Sequence, residues 1–337
     1  MSNSVVTRQS AEEYVAGRAP AGGRSGSSQD RLSPEFAVRI FDGFEAVRPI
    51  WSALEGSAVF TPYQRFEWVA QWHAARGPRG RLAIAVVSAH DEPVALLPLE
   101  IRHSFGLQRA RIVGTEMGNS DWMMVTPGAA ARLGRAQLQP LLAEIARQAG
   151  GIDLLSLHDQ PMAWGGLDNP LLTLPHQPGP DHFYFGARDA AKGFDRFDDK
   201  RVANLLRRKR KLAETLGPVV LRAATTVAEI DTVHAAFLQQ RADRFAQMGI
   251  ANIFGESHFV QFMRDGAIEA LGQARPAFIF HALYAGDTIV ATAFGIFGGT
   301  HYSQYINATA GGDIAKFRLI GILMHELFAD CAARGAT

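Results

Sequence analysis

The sequence predicts an α/β chain, with mixed sheets layered against flanking helices, in which one structural unit is used twice. Three observations predict it. The 337 residues, 47% of them apolar, suffice for about two domains of ordinary size and their cores. Stretches with helical spacing of apolar residues alternate with β-rich runs bounded by turns. Finally, an aromatic-led helix followed by a hairpin occurs twice. It starts at Phe60-Thr-Pro-Tyr-Gln-Arg-Phe66 with Trp68 and Trp72, and again at Phe254-Gly-Glu-Ser-His-Phe259 with Phe262. The helices are offset by about 194 residues, and each hairpin carries Val-Ala after its turn, at Val94-Ala95 and Val290-Ala291.

Composition narrows the function classes. Lys plus Arg number 34 and Asp plus Glu 33, so the net charge of +1 gives no global reason to expect nucleic acid. The single cysteine, Cys331, excludes an internal disulfide framework and a cysteine-rich zinc site. No HExxH spacing and no serine–histidine–acid signature is present, which argues against a metal-dependent or covalent hydrolase.

Taken in order, residues 1–34 carry Ser, Gly, Ala and Arg without an apolar period and are expected to form a disordered leader. Arg8 interrupts any secretory apolar core, and Glu12 and Glu13 spoil the acid-poor pattern of a transit peptide. The first half is assigned to 35–190. Thr61 and Gln64 make a capping box, with Pro62 at the tolerated first position, opening a helix over 62–76. Strands over 82–88 and 94–101 flank a turn at His90-Asp91-Glu92. A strand at Arg111-Ile-Val-Gly114, a helix over 132–148 and a strand over 152–157 follow. Pro161, Pro170, Pro175, Pro178 and Pro180 make 161–180 a loop or a connection.

The second half is assigned to 191–337. A helix over 197–216 ends at Gly217-Pro218, and a short strand covers 219–222. Thr226 with Glu229 caps a long helix reaching Gln247. The stretch 278–299 is apolar enough to suggest a membrane span, but His281 and Asp287 lie inside it. A charge at mid-bilayer costs about 2.5 kcal/mol or more, whereas Gly286-Asp287 at a hairpin tip sits in water. Strands over 278–283 and 289–296 are therefore expected, then a strand over 302–307 and a final helix over 317–333.

Two segments carry charge or chemistry. From Lys200 to Lys211 the sequence KRVANLLRRKRK holds seven basic residues and no acid. Val202, Leu205, Leu206 and Leu212 leave an apolar stripe on it, so this helix packs on something while its basic face meets solvent or a phosphorylated ligand. Between the strand over 302–307 and the last helix lies Gly311-Gly312-Asp313-Ile314-Ala315-Lys316-Phe317-Arg318-Leu319-Ile320-Gly321. A strand that turns through such a loop into a helix start presents backbone N–H groups and a positive dipole end to an anion.

The order of these features resembles the GNAT-superfamily acetyltransferases of the CelD or BioF2-like kind, themselves similar to the Fem-like tandem GNAT transferases that build peptidoglycan bridges. The residues that carry the resemblance are Phe66-Glu-Trp68 through Trp72, Leu97-Pro98-Leu99, Arg111-Ile-Val-Gly114 and Asn119-Ser-Asp121-Trp122. In the second half they are Asn204-Leu-Leu-Arg207-Arg208, Gln240-Arg241-Ala-Asp243-Arg244-Phe245 and the Arg318–Gly321 loop. Coverage is roughly residues 36–337.

The resemblance implies two tandem GNAT-like halves and an acyl-CoA-dependent N-acyltransferase. Acetyl-CoA or another acyl-CoA is the co-substrate, no metal is needed, and the acceptor is a small-molecule or saccharide amine. A cytoplasmic location and a role in cellulose or exopolysaccharide biosynthesis go with it. Arg318-x-x-Gly321 matches the pyrophosphate pattern, with Leu323 in place of the usual small residue and Ile320 in place of the usual proline. Lys316, Arg318, Gly321 and Ile322 are the expected cofactor contacts. His301, Tyr302 and Tyr305 are the expected proton acceptors, and Asp121, Trp122, Arg207, Arg241 and Arg244 the expected substrate contacts. Family members continue past the last helix into a further strand, so the chain reads as stopping before it. Two other readings stay open: a non-catalytic scaffold of polysaccharide assembly, and an aminoacyl-tRNA-dependent transferase that uses the basic helix.

Overall fold

The computed structural model describes residues 35–179 and 199–336. The expected leader and the division between the halves at 190 lie outside the described residues. The first half opens with β1 (Ala37–Phe41) and α1 (Phe44–Ser57). Val47, Trp51 and Leu54, at helical spacing, are buried and hold α1 in place despite Pro49 inside it. The capping box at Thr61 and Gln64 is present, and the Thr61 N–H donates to Gln64 Oε1 at 3.2 Å. It closes only a 3-10 turn, Pro62–Gln64, because Arg65 is extended (φ −61°, ψ 139°); α2 (Phe66–Arg76) starts after this break. The single helix expected over 62–76 is thus two elements.

β2 (Arg81–Ala89), β3 (Glu92–Ser104) and β4 (Leu107–Ile112) continue the first half. They are followed by β5 (Met124–Val125), α3 (Pro127–Ala130), α4 (Arg135–Gln148) and β6 (Leu154–Ser156). The proline-rich stretch is not all loop. It holds the two-residue strands β7 (Ala163–Trp164) and β8 (Leu167–Asp168) and a 3-10 turn, Pro170–Thr173, capped by Asn169.

The second half contains α5 (Asp199–Leu216), β9 (Val219–Ala223), α6 (Val227–Met248) and α7 (Ser257–Glu269). The hairpin β10 (Ile279–Ala285) and β11 (Thr288–Gly298), then β12 (His301–Thr309), complete its sheet. The final helix also departs from expectation. Gly312–Phe317 is a 3-10 turn, Arg318 is left-handed (φ 55°, ψ 57°), and α8 runs over Leu319–Ala333. No helix among the described residues is long and apolar enough to cross a membrane.

The duplication is visible in the connections. One sheet runs β1-β2-β3-β4, the other β9-β10-β11-β12, and every one of these pairings is antiparallel. In each, two helices separate the first strand from the hairpin. The repeated Val-Ala has a structural meaning. Val87 pairs with Ala95 and Ser88 with Pro93, leaving Val94 as an extra residue; Leu283 pairs with Ala291 and Tyr284 with Ile289, leaving Val290 extra. Both hairpins therefore carry the same bulge just after the turn.

The copies meet through their equivalent helices. Trp68 of α2 and Phe262 of α7 touch edge to face at 4.8 Å, and Trp68 stacks on Phe278 at 5.1 Å. One buried cluster joins Tyr63, Trp68, Trp72 and Met117 to Phe237, Phe262, Phe280 and Phe294. The two halves share a core.

Candidate active site

A difference between the two copies marks a candidate site. Phe294 pairs with Ile306 but Gly295 with Gln304, so Tyr305 is an extra residue on β12. The corresponding β3–β4 pairing runs without a shift. β4 is also covered by β6, which pairs with it in parallel, whereas no described strand pairs with the outer edge of β12. A bulge withdraws backbone groups from the ladder and re-aims side chains, which is why bulges recur beside active sites.

The Tyr305 hydroxyl donates to Met117 Sδ at 3.5 Å, and the ring lies 5.3 Å from Trp68. Two positions earlier, Ser303 Oγ shares a hydrogen bond of 2.6 Å with the Tyr63 hydroxyl. Burial pushes the Tyr63 phenol up to about 12 and Tyr305 higher still. Tyr302 packs on the opposite face, against the core under α8, and burial raises it well above its ordinary value. The two expected tyrosine acceptors are thus on different faces, and both keep their protons at neutral pH. His301, half-buried at the start of β12, lies 4.8 Å from the Trp164 ring, and burial lowers its pKa so that the imidazole is neutral. Four residues of strand, about 13 Å, separate it from the bulge.

The loop that contributes Met117 also holds Asp121. The Thr115 hydroxyl donates to its carboxylate, its own N–H donates to the Asp159 carbonyl at 2.9 Å, and it is 2% exposed. Burial raises the Asp121 pKa to about 7, against the lowering effect of the Thr115 bond. It is therefore a group that exchanges a proton near neutrality. Trp122 is completely buried, so it supports this loop and offers no face to a sugar. On α6, the Arg241 guanidinium stands 4.7 Å over Phe245 and 4.9 Å over Phe254 and donates to the Asn307 carbonyl at 3.4 Å. Its Nε is buried without a partner. Burial, then the charge of exposed Arg244, lowers its pKa.

Beyond β12 the chain enters the 3-10 turn and α8. Lys316 and Arg318 are exposed there, while Phe317, Leu319 and Ile322 are buried anchors. Ile322, expected as a cofactor contact, lies in the first turn of α8 with its side chain buried, so only its backbone could serve. The Gly321 N–H bonds the Arg318 carbonyl at 2.9 Å, and a Cβ at Gly321 would sit 3.5 Å from Leu205 Cδ1 of α5. Such a Cβ would make only ordinary van der Waals contact, so α5 packing does not demand a glycine there; the N–H groups at the helix start belong to Leu319 and Ile320.

α5 packs on this turn and on α8, where Lys209 pairs with Glu326 at 2.7 Å. Arg207 is exposed and donates to Asn204 Oδ1 at 3.2 Å. A groove of about 580 Å³ lined by Ala203, Leu206, Lys209, Arg210, Ala213 and Val219 lies along α5, not at the bulge. The sequence reading missed Tyr63, Ser303 and Met117. Nothing local marks them, because their partners are 240 and 188 residues away.

Residues 200–337 match the family model described as an acetyltransferase (GNAT) domain. No curated protein sequence matches the chain. Among solved structures, FemX superposes with a TM-score of 0.58 at 11% identity, covering 86% of this chain and 85% of its own. A conserved protein of unknown function from Bacteroides thetaiotaomicron VPI-5482 gives 0.50 at 11% identity, covering 88% of both chains. At that identity the likeness is one of fold.

Proposed function

With residues 200–337 matching the model of an acetyltransferase (GNAT) domain and the chain sharing the fold of FemX, we propose an acyl-CoA-dependent N-acyltransferase acting at the Tyr305 bulge. The observation that carries the reading is the bulge itself, present in β12 and absent from its counterpart β4. Acyl-CoA supplies the acyl group as an activated thioester. The residues suit it: the Leu319 and Ile320 N–H groups, with exposed Lys316 and Arg318, match a pyrophosphate. Backbone N–H groups released at the bulge match the charge that grows on a carbonyl oxygen during acyl transfer.

In this reading, 35–190 is the acceptor-side half and 191–337 the transfer half. The amine comes from the side of Tyr63, Ser303 and Met117, and Asp121 takes its proton, directly or through water. Arg241 and Arg244 give an anionic acceptor its counter-charge. A saccharide amine is the acceptor class that the sequence resemblance implies.

The test is calorimetric titration of the protein with acetyl-CoA and longer acyl-CoAs. Arg318→Ala is expected to weaken binding by about ten- to a hundredfold, at about 1.4 kcal/mol per decade, with unchanged circular dichroism. No binding by the parent protein at millimolar ligand would overturn the proposal in favour of the scaffold reading.

A further inference from the structure

Half-buried Arg241 holds a positive charge that no described residue balances. Asp243, close to it in the helix, is turned to Gln239, whose Nε2 donates to it at 2.8 Å. The ionisable groups that act on the guanidinium are Arg244, which repels it, and the Tyr305 hydroxyl, which keeps its proton. Among the described residues no carboxylate pairs with either arginine. Arginine cannot shed its proton to escape this cost, and a charge taken out of water without a partner is destabilising. The faces of Phe245 and Phe254 offset part of it.

The guanidinium is also set for one shape of partner. Its Nη1 donates to the Asn307 carbonyl at 3.4 Å, and the two rings support its plane. That leaves Nε–H, enclosed without a partner, and the second terminal nitrogen. These donors point the same way and fit the two oxygens of a carboxylate. Asn252, which opens the turn that carries Phe254, keeps Oδ1 buried without a partner as well. That oxygen suits an N–H or O–H of the same ligand. Asn307 lies two residues past the Tyr305 bulge, about 7 Å along the strand.

We propose that the acceptor is a small amine with a carboxylate a few bonds from its nitrogen, the chemistry of an amino acid, and that Arg241 holds this carboxylate side-on. The inference rests on the transferase reading of the Tyr305 bulge and narrows its acceptor. A carboxylate seated on Arg241 brings an amine a few bonds away within reach of the bulge. A neutral amino sugar leaves the arginine unbalanced, so a saccharide acceptor fits only if it carries an acid. The donor's phosphates have their own match in Lys316 and Arg318. Exposed Arg244, one turn along α6, adds attraction for an anion.

The experiment is calorimetric titration of the full chain, with and without acetyl-CoA, using the common amino acids, their carboxamides, glucosamine and glucosaminic acid. Thiol release from acetyl-CoA is then followed with each. At least one acid is expected to bind about ten- to a hundredfold tighter than its carboxamide, and kcat/KM should show the same preference. Which acid binds best tells an amino acid from an amino sugar acid. Arg241→Met, whose thioether still packs on the rings, should abolish the preference and leave acetyl-CoA binding unchanged. Arg241→Lys keeps the charge without the fork and should restore only part of it. No acid bound at millimolar concentration, acids and carboxamides bound alike, or glucosamine preferred to every acid would overturn the proposal. So would a preference that survives Arg241→Met, or a variant that loses acetyl-CoA binding instead, which would assign the arginine to the donor. Acids bound through Arg241 by a protein that does not bind acetyl-CoA would sink the transferase reading and keep the carboxylate site.

Discussion

A carboxyl group as enclosed as that of Asp121 keeps its proton in the folded protein until the pH reaches about 7, while the unfolded chain releases it near 4. Between those values the folded state binds one more proton than the unfolded state. Stability therefore falls as pH rises through this window, by about 1.4 kcal/mol per pH unit for one such group. Glu55, also raised to about 7 by burial, acts in the same direction. Buried His234 and His281 and half-buried His301 have lowered pKa values and act oppositely, losing stability as pH falls. The informative quantity is thus the difference between two proteins. Asp121→Asn should gain on the parent by about 2–3 kcal/mol between pH 5 and pH 7, read from denaturant midpoints. A constant difference across that range would mean that Asp121 is already ionised, and its assignment as the proton acceptor would lose its basis.

At the level of elements, α5 separates surface charge from packing. Leu212 is buried and Lys209 pairs with Glu326, whereas Arg207 and Arg210 project into solvent. Replacing Arg207, Arg208 and Arg210 together with Gln should shift stability by no more than about 0.5 kcal/mol in thermal melts. A loss of several kcal/mol would place the run in a buried ionic network. Local signals of this kind were legible in the sequence: both capping boxes formed where Thr61 with Gln64 and Thr226 with Glu229 announced them. The Val-Ala repeat was legible as a repeat, but its meaning as a bulge exists only in the pairing of strands. α1 went unread because Pro49 interrupts its pattern, and tertiary burial of Trp51 and Leu54 overrides that. The Tyr305 bulge left no mark at all, since one extra residue in a polar-aromatic strand changes no local preference.

Over the whole molecule, the duplicated copies depend on each other through Trp68. Its ring meets Phe262, its positional counterpart, at 4.8 Å, Phe278 at 5.1 Å, and Tyr305 at 5.3 Å. The indole thus supports the bulged strand of the second copy from the first copy's helix. Its Nε1 is buried without a partner, a cost that the aromatic packing has to exceed. Trp68→Ala should therefore lower stability by about 3–5 kcal/mol through the cavity it leaves. Because the core is shared, circular dichroism and tryptophan fluorescence should follow one unfolding transition in both the parent and the variant. Trp68→Phe keeps a ring in place and removes the unpartnered N–H, so it should recover most of the loss. If Trp68→Ala split the melt into two transitions, one of them at the parent temperature, the second copy would be stable by itself. The Tyr305 site would then not need the first copy for its support.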